Sequence, residues 1–223
     1  METTTSRSEV VFDEATHTYF VEGKVLPSVT QVIGEWVDLK VYNTLYKLNV
    51  FKPKVRIPKK TMEKAAELGS AIHLGASFIA QGQGVDWDAL DPSLVKPLNQ
   101  FVQWTKDFQV EFIESELVLY SPEFGFAGTV DILCRILGKQ LYVVDIKTGQ
   151  PSFTVGPQTA AYLQMAREHG LFLPEENVLR ASLKIPRDGG KYKFKALNAP
   201  ENENDWAFFK ARLDTLKYLK AVA

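Results

Sequence analysis

Cys134 is the only cysteine in 223 residues, so no disulfide can form within the chain and a four-cysteine iron–sulfur site cannot be built from it. Long apolar runs are lacking as well. No stretch approaches the roughly 18 consecutive apolar residues of a membrane span, and Met1-Glu2-Thr3-Thr4-Thr5 puts no basic region ahead of an apolar one. Neither a membrane segment nor a secretory leader is expected, and the expected location is cytoplasmic. Excess charge of one sign is missing too. With 26 Lys and Arg against 27 Asp and Glu, the net charge is -1, which excludes a uniformly basic surface and leaves local charge distribution to carry any nucleic-acid contact. Repeats and low-complexity tracts are absent. At 45% hydrophobic, with 14 Gly and 11 Pro, the chain has the composition of one globular domain with elaborated ends.

Charge does occur inside strand-like sequence. Val130 to Leu137 and Leu141 to Lys147 are β-rich runs joined by Gly138-Lys139-Gln140, a three-residue connection with glycine that predicts a hairpin. With the turn centred on Lys139, Asp131 falls opposite Lys147 and Leu133 opposite Asp145. Opposed residues share a face, as do residues two apart, so Asp131, Asp145 and Lys147 are expected on one side, at the end away from the turn. A slip of one residue would send Asp131 to the other face. Two carboxylates so placed repel each other and lose solvation against an apolar sheet. A hard divalent cation meets that need, since Mg²⁺ takes one or two carboxylates together with waters and phosphate oxygens. A cross-strand ion pair between Asp131 and Lys147, with Asp145 solvated at the strand end, accounts for the same pattern.

The flanking segments supply further polar groups at helical spacing. From Thr61 to Gln81, the residues Met62, Ala65, Leu68, Ile72, Ala76 and Ile79 recur every three or four positions and predict an amphipathic helix. Gly69, His73, Ala76 and Ala80 form a neighbouring stripe. Glycine inside a helix costs about 1 kcal/mol relative to alanine, so Gly69 points to close approach of another backbone, with His73 brought down onto the sheet, where a lone histidine reads as a hydrogen-bonded core residue. A second helix is expected to open at Pro157 and end near Gly170, with Gln158 and Tyr162 on one face. Val110 to Tyr120 reads as a strand in which Glu114 and Glu116 share a side. The remaining elements are a helix from Pro92 to Phe108, a strand from Val178 to Ile185 that forms a hairpin with Lys191 to Leu197, and a helix from Asp205. A helix is also a candidate between Ser28 and Leu48. Lys52, Lys54, Arg56, Lys59 and Lys60 crowd into a segment that prolines 53 and 58 keep extended, either a solvated loop or the path of a nucleic-acid strand.

Gly69-Ser70-Ala71-Ile72-His73, Gly128-Thr129-Val130-Asp131, Asp145-Ile146-Lys147 and Gln158-Thr159-Ala160-Ala161-Tyr162 resemble, in identity and order, four motifs of the RecB-type branch of the PD-(D/E)XK nuclease superfamily. The run from His17-Thr18-Tyr19 to Leu26-Pro27-Ser28-Val29-Thr30 resembles the opening of its phage-type members. The resemblance implies an α/β, restriction-endonuclease-like core of order α-β-β-β-α-β, a mixed central sheet flanked by helices, at 61–185. An N-terminal elaboration at 1–60 and a C-terminal hairpin strand and helix at 186–223 would complete one structural domain. It further implies a metal-dependent DNA exonuclease of recombination or repair, phage-encoded and without an iron–sulfur cluster. A structure-selective endonuclease and a catalytically silent nucleic-acid-binding module are the alternatives. On this resemblance His73, Asp131, Asp145 and the carbonyl of Ile146 hold Mg²⁺ or Mn²⁺, with Glu116 as a secondary ligand. Lys147 orients or deprotonates the attacking water, and Gln158 and Tyr162 hold phosphate oxygens or orient the lysine and acids. The implied partners are DNA and a recombination or single-strand-annealing protein.

Overall fold

A computed structural model describes residues 10–13, 16–34, 59–149, 154–197 and 201–222. Three short strands, β1 (Val10–Asp13), β2 (Thr18–Val21) and β3 (Lys24–Leu26), make a small antiparallel sheet and lead into α1 (Val29–Gly34). Two longer helices follow, α2 (Lys59–Ala80) and α3 (Pro92–Asp107). The apolar runs beyond residue 110 then form β4 (Val110–Ser121), β5 (Phe126–Ile136) and β6 (Gln140–Lys147). After α4 (Val155–Glu168) come β7 (Val178–Lys184), β8 (Lys193–Ala196) and α5 (Glu201–Val222). The main sheet runs β4-β5-β6-β7-β8 and is antiparallel except between β6 and β7. Parallel neighbours need a long crossover, and α4 provides it.

Helices cover both faces, so the strands are apolar on both sides. Ile72, Leu98, Phe101 and Trp104 of α2 and α3 pack on Ile132, Cys134, Val144, Ile146 and Leu183. Across the sheet, Val29 and Val32 of α1, Ala161 and Met165 of α4 and Phe209 and Leu213 of α5 pack on Val130, Leu133 and Val143. A mixed sheet between helical layers is the fold class expected from the sequence.

The hairpin register differs from the expected one. Ile136 pairs with Gln140, so the turn is Leu137-Gly138-Lys139, centred on Gly138. Leu137 and Gly138 both have positive φ, +52° and +66°, and glycine carries the second at little cost. Gln140 belongs to the strand instead, and its side-chain amide donates to the carbonyls of Leu141 and Asn177. Moving the centre by one residue moves every pairing by two, which preserves the sides. Continued beyond Ile132↔Val144, the register sets Asp131 level with Asp145 rather than with Lys147.

Helix ends shift by smaller amounts. Helix α4 opens at Val155, two residues before Pro157, which is tolerated because N–H groups in the first turn have no intrahelical partner. It closes where expected, at Gly170 with φ +69°, whose N–H bonds the carbonyl of Arg167. Helix α5 begins at Glu201, ahead of Asp205. Of the helical candidate from Ser28 to Leu48, the described part is α1. Lys52, Lys54 and Arg56 lie outside the described residues, as do the side chains of Lys59 and Lys60 at the start of α2.

Gly128 in β5 explains how closely α1 and α4 approach the sheet. A Cβ there would stand 2.9 Å from Val29 Cγ2 and 3.1 Å from the Tyr162 ring. Gly128→Ala is expected to lower stability in urea by about 1–3 kcal/mol through overpacking. Gly84→Ala, with nothing within 4 Å of the added carbon, should leave the midpoint nearly unchanged.

Candidate metal centre

Beyond a register shift between Phe112 and Glu114, the β4–β5 pairing lapses again at one residue pair near the centre of the sheet. The β4–β5 ladder includes Ser115↔Ile132 and Leu117↔Val130 but not the intervening Glu116 and Asp131. Glu116 has φ +48°, a left-handed conformation that costs a side-chain-bearing residue roughly 1–3 kcal/mol. Both strands change sides there. Ser115 approaches Ser77 of α2 at 3.4 Å and Ile132 packs beneath α2 and α3, whereas Leu117 and Val130 join the core on the α4 side. The β5–β6 ladder also stops at Ile132↔Val144, while β6 continues alongside β7 as far as Lys147↔Lys184. A fork therefore opens between β5 and β6. The Asp131 carboxylate fills it, Oδ2 accepting the Ile146 N–H at 2.6 Å in place of a ladder bond.

Around the fork the sequence-expected residues converge. His73, on the face of α2 toward the sheet, sets Nδ1 3.7 Å from Glu116 Oε1 and 3.8 Å from Asp131 Oδ2. One ligand atom from each of these three residues lies within 4.8 Å of the others. Asp145 stands outside that trio but beside it, wholly buried. Its Oδ1 accepts from Lys147 Nζ at 2.9 Å. The same ammonium donates to Gln158 Oε1 at 3.0 Å, and Gln158 Nε2 reaches the Tyr162 hydroxyl at 2.8 Å. Asp145 and Lys147 project toward α4, while Asp131 turns into the fork toward α2, so the acids meet at a strand end rather than sharing one face. The change of side at Glu116 and Asp131 breaks the strict alternation that the one-face expectation assumed.

Tyr19 of β2 is a neighbour that sequence spacing did not single out. Its hydroxyl lies 2.9 Å from Thr129 Oγ1, two residues before Asp131. Cys134 faces away from the centre in the core under α2 and α3, where burial pushes its thiol up to about 12.

Buried acids this close depend on positive charge. For Asp131, burial is the main influence, reinforced by Asp145 and Glu116 and opposed by His73 and Lys147, and the result is a carboxyl raised to about 7. Burial raises Asp145 too, against the pull of Lys147 and His73. Burial alone would lower His73, but the carboxylates of Asp131, Glu116 and Asp145 outweigh it and hold the imidazole at about 9. The Tyr162 phenol is pushed well above its usual range by burial and by the two aspartates, so it stays neutral.

The donor set fits a divalent cation. Asp145 Oδ2 is buried with no hydrogen-bond partner among the described residues, and Glu116 Oε1, likewise without a hydrogen bond, has only the His73 imidazole 3.7 Å away, positions that cost carboxylate oxygens dearly once His73 gives up its proton unless a cation takes its place. Ligands on an ion with bonds of about 2.1 Å sit about 3.0 Å apart when adjacent and about 4.2 Å apart when opposite. The His73, Glu116 and Asp131 atoms are already near that spacing.

Residues 92–221, more than half of the chain, match the family model described as the PD-(D/E)XK nuclease superfamily. The matched span holds Glu116, Asp131, Asp145, Lys147, Gln158 and Tyr162, and it leaves out His73 and Tyr19. No curated protein matches the chain.

The raised values of Asp131 and His73 set a pH dependence. Folded Asp131 keeps its proton to about 7 instead of the ordinary 3.8, and folded His73 keeps its proton to about 9 instead of 6.5. In both windows the native state binds more protons than the unfolded state, so stability falls as pH rises. Without metal, the melting temperature is expected to drop between about pH 6 and pH 9. Because ligation requires neutral imidazole and ionised carboxylate, the rise in melting temperature on adding Mn²⁺ should be larger near pH 9 than near pH 6. Differential scanning fluorimetry with chelator or Mn²⁺ reads both effects, and a pH-independent Mn²⁺ effect would contradict this picture of the centre.

Proposed function

The chain belongs to the PD-(D/E)XK nuclease superfamily, whose members are nucleases that use divalent metals, and from that premise we propose a deoxyribonuclease of the RecB-like, phage-type branch that degrades DNA from its ends. The observation that carries this reading is the unbroken chain Asp145, Lys147, Gln158, Tyr162 beside the His73, Glu116 and Asp131 cluster. A surface made only to bind nucleic acid gains nothing from acids facing phosphate.

His73, Glu116, Asp131, Asp145 and the carbonyl oxygen of Ile146 would hold Mg²⁺ or Mn²⁺. Bound there, the ion supplies charge to the oxygens of the phosphoryl transition state and lowers the pKa of water. The protein's own groups do the positioning. An ammonium has three donors; Lys147 spends two on Asp145 and Gln158, which aims the third at the incoming phosphate or at the water that attacks it. Gln158 cannot swing away while its amide is tied to the Tyr162 hydroxyl. Asp131 holds Ile146 by its N–H and so presents the adjoining carbonyl. Attack of water on phosphorus with loss of the 3′-oxygen leaves 5′-phosphate and 3′-hydroxyl ends.

Action from an end is supported by the N-terminal sheet. It is fastened next to the centre by the Tyr19 to Thr129 bond, by the Ala127 N–H donating to the Pro27 carbonyl at 3.0 Å, and by the Ser28↔Ala127 bridge. A wall on that side favours entry of a free end. Lys52, Lys54, Arg56, Lys59 and Lys60 would guide the strand inward. Such an enzyme serves recombination or repair in the cytoplasm beside a single-strand-annealing protein.

Asp131→Ala and Asp145→Ala are each expected to cut the cleavage rate by well over tenfold, more than about 1.4 kcal/mol in barrier. Lys147→Ala should keep Mn²⁺ affinity and lose turnover. On end-labelled linear DNA the wild type should release nucleotides while covalently closed circles persist. Rapid nicking of circles by wild type but not by Asp145→Ala would make the enzyme an endonuclease.

A further inference from the structure

The loop after β7 carries a cation that the centre described above does not use. Arg187 lies two residues beyond Ile185, whose N–H extends the sheet by bonding the Lys147 carbonyl at 2.9 Å. Its guanidinium crosses the end of β6 and rests against α2. A Cβ on Gly69 would stand 3.6 Å from Arg187 Nη2 and 3.0 Å from Thr148 Oγ1, and one on Gly149 would stand 3.9 Å from Nη2. Glycine at 69 thus admits two side chains to the helix surface, rather than the backbone that the sequence led us to expect.

Two features leave donors of this arginine unspent. Among the described residues its buried Nε has no hydrogen-bond partner, and their ion pairs do not include it. A guanidinium cannot shed its proton, and its five N–H donors form a planar fork that matches a pair of phosphate oxygens. Its location supplies the context. Gly69 is one helical turn before His73, and Thr148 directly follows Lys147. The guanidinium therefore flanks the metal centre at the mouth of β6.

We propose that Arg187 clamps a backbone phosphate of the strand being cut, next to the phosphate at the metal centre, and so sets the strand's register over Lys147. The proposal rests on the nuclease reading of that centre. A clamp of this kind is blind to base identity, because it touches only backbone oxygens.

The test is a fluorescence-anisotropy titration of a labelled single-stranded oligonucleotide in chelator over a range of salt, with wild type, Arg187→Ala and Arg187→Lys. Arg187→Ala should bind about tenfold more weakly, the loss of one charge-assisted contact. Its log–log salt slope should be shallower by about 0.7, one phosphate contact on a single strand. Arg187→Lys should restore the slope but only part of the affinity, since a point charge lacks the fork. Mn²⁺ affinity by calorimetry should be unchanged in both variants, and KM should rise more than kcat falls. If wild type binds and cuts DNA while Arg187→Ala keeps the full slope, the clamp is overturned and the nuclease reading stands. If wild type shows neither binding nor cleavage, the nuclease reading fails and the clamp with it.

Discussion

One hydrogen bond organises the centre of this molecule: the Asp131 carboxylate accepting the Ile146 N–H at 2.6 Å. It stands where backbone pairing between β5 and β6 has ended, and it satisfies a donor that would otherwise be buried and unpaired. The same carboxylate closes the fork and brings a charge level with Glu116, Asp145 and His73. Structure and chemistry share this group, so the loss of pairing that would be a defect in an ordinary sheet becomes the place where a cation can enter.

The surroundings hold that arrangement rigid. Arg180 of β7 is wholly buried, its Nη2 2.8 Å from Asp205 Oδ2 and its Nη1 bonded to the Gly156 carbonyl and to Thr159 Oγ1. Strand β7, the start of α4 and α5 are thereby joined, with the Asp205 carboxylate in the space that a side chain at Gly156 would need. Gln158 projects from the turn of α4 fixed in this way, which is how an ion pair remote from the fork, buried at its Arg180 end, bears on the direction of Lys147. An ion pair of this kind adds little net stability over an apolar replacement, but its bonds to Gly156 and Thr159 tie the start of α4 to β7.

Much of this was legible in the chain. The 3.6-residue pattern of α2 and α3, the continuous apolar runs of β5 and β6 and the stop at Gly170 are local signals, and the elements lie within a few residues of their expected ends. Asp131, Asp145 and Lys147 stood out as charges inside apolar strands and Gln158 and Tyr162 as polar residues four apart on a helix, while the parts given to Glu116, His73, Gln158 and Tyr162 came from the resemblance to the nuclease motifs. What the sequence hid depends on backbone conformation and tertiary contact. No residue type announces that Glu116 is left-handed, and without that the change of side on β4 and β5 is invisible. Leu137 at positive φ hid the turn centre in the same way. Arg180 looks like an ordinary charged residue until α5 folds over it, although its place in Val178-Leu179-Arg180-Ala181 was the available clue. Arg187 follows a strand end in a Pro-Arg-Asp-Gly-Gly turn and reads as solvent-facing, since only the notch at Gly69 reveals where it goes.

The central claim is that a divalent cation sits beside the fork, among His73, Glu116, Asp131 and Asp145. Crystals soaked in Mn²⁺ and measured at the manganese absorption edge test it directly. An anomalous peak bounded by His73 Nδ1, Glu116 Oε1, Asp131 and the unpartnered Asp145 Oδ2 is the predicted result. Mn²⁺ bound elsewhere, with that position empty and the Asp131 to Ile146 bond intact, would contradict the account.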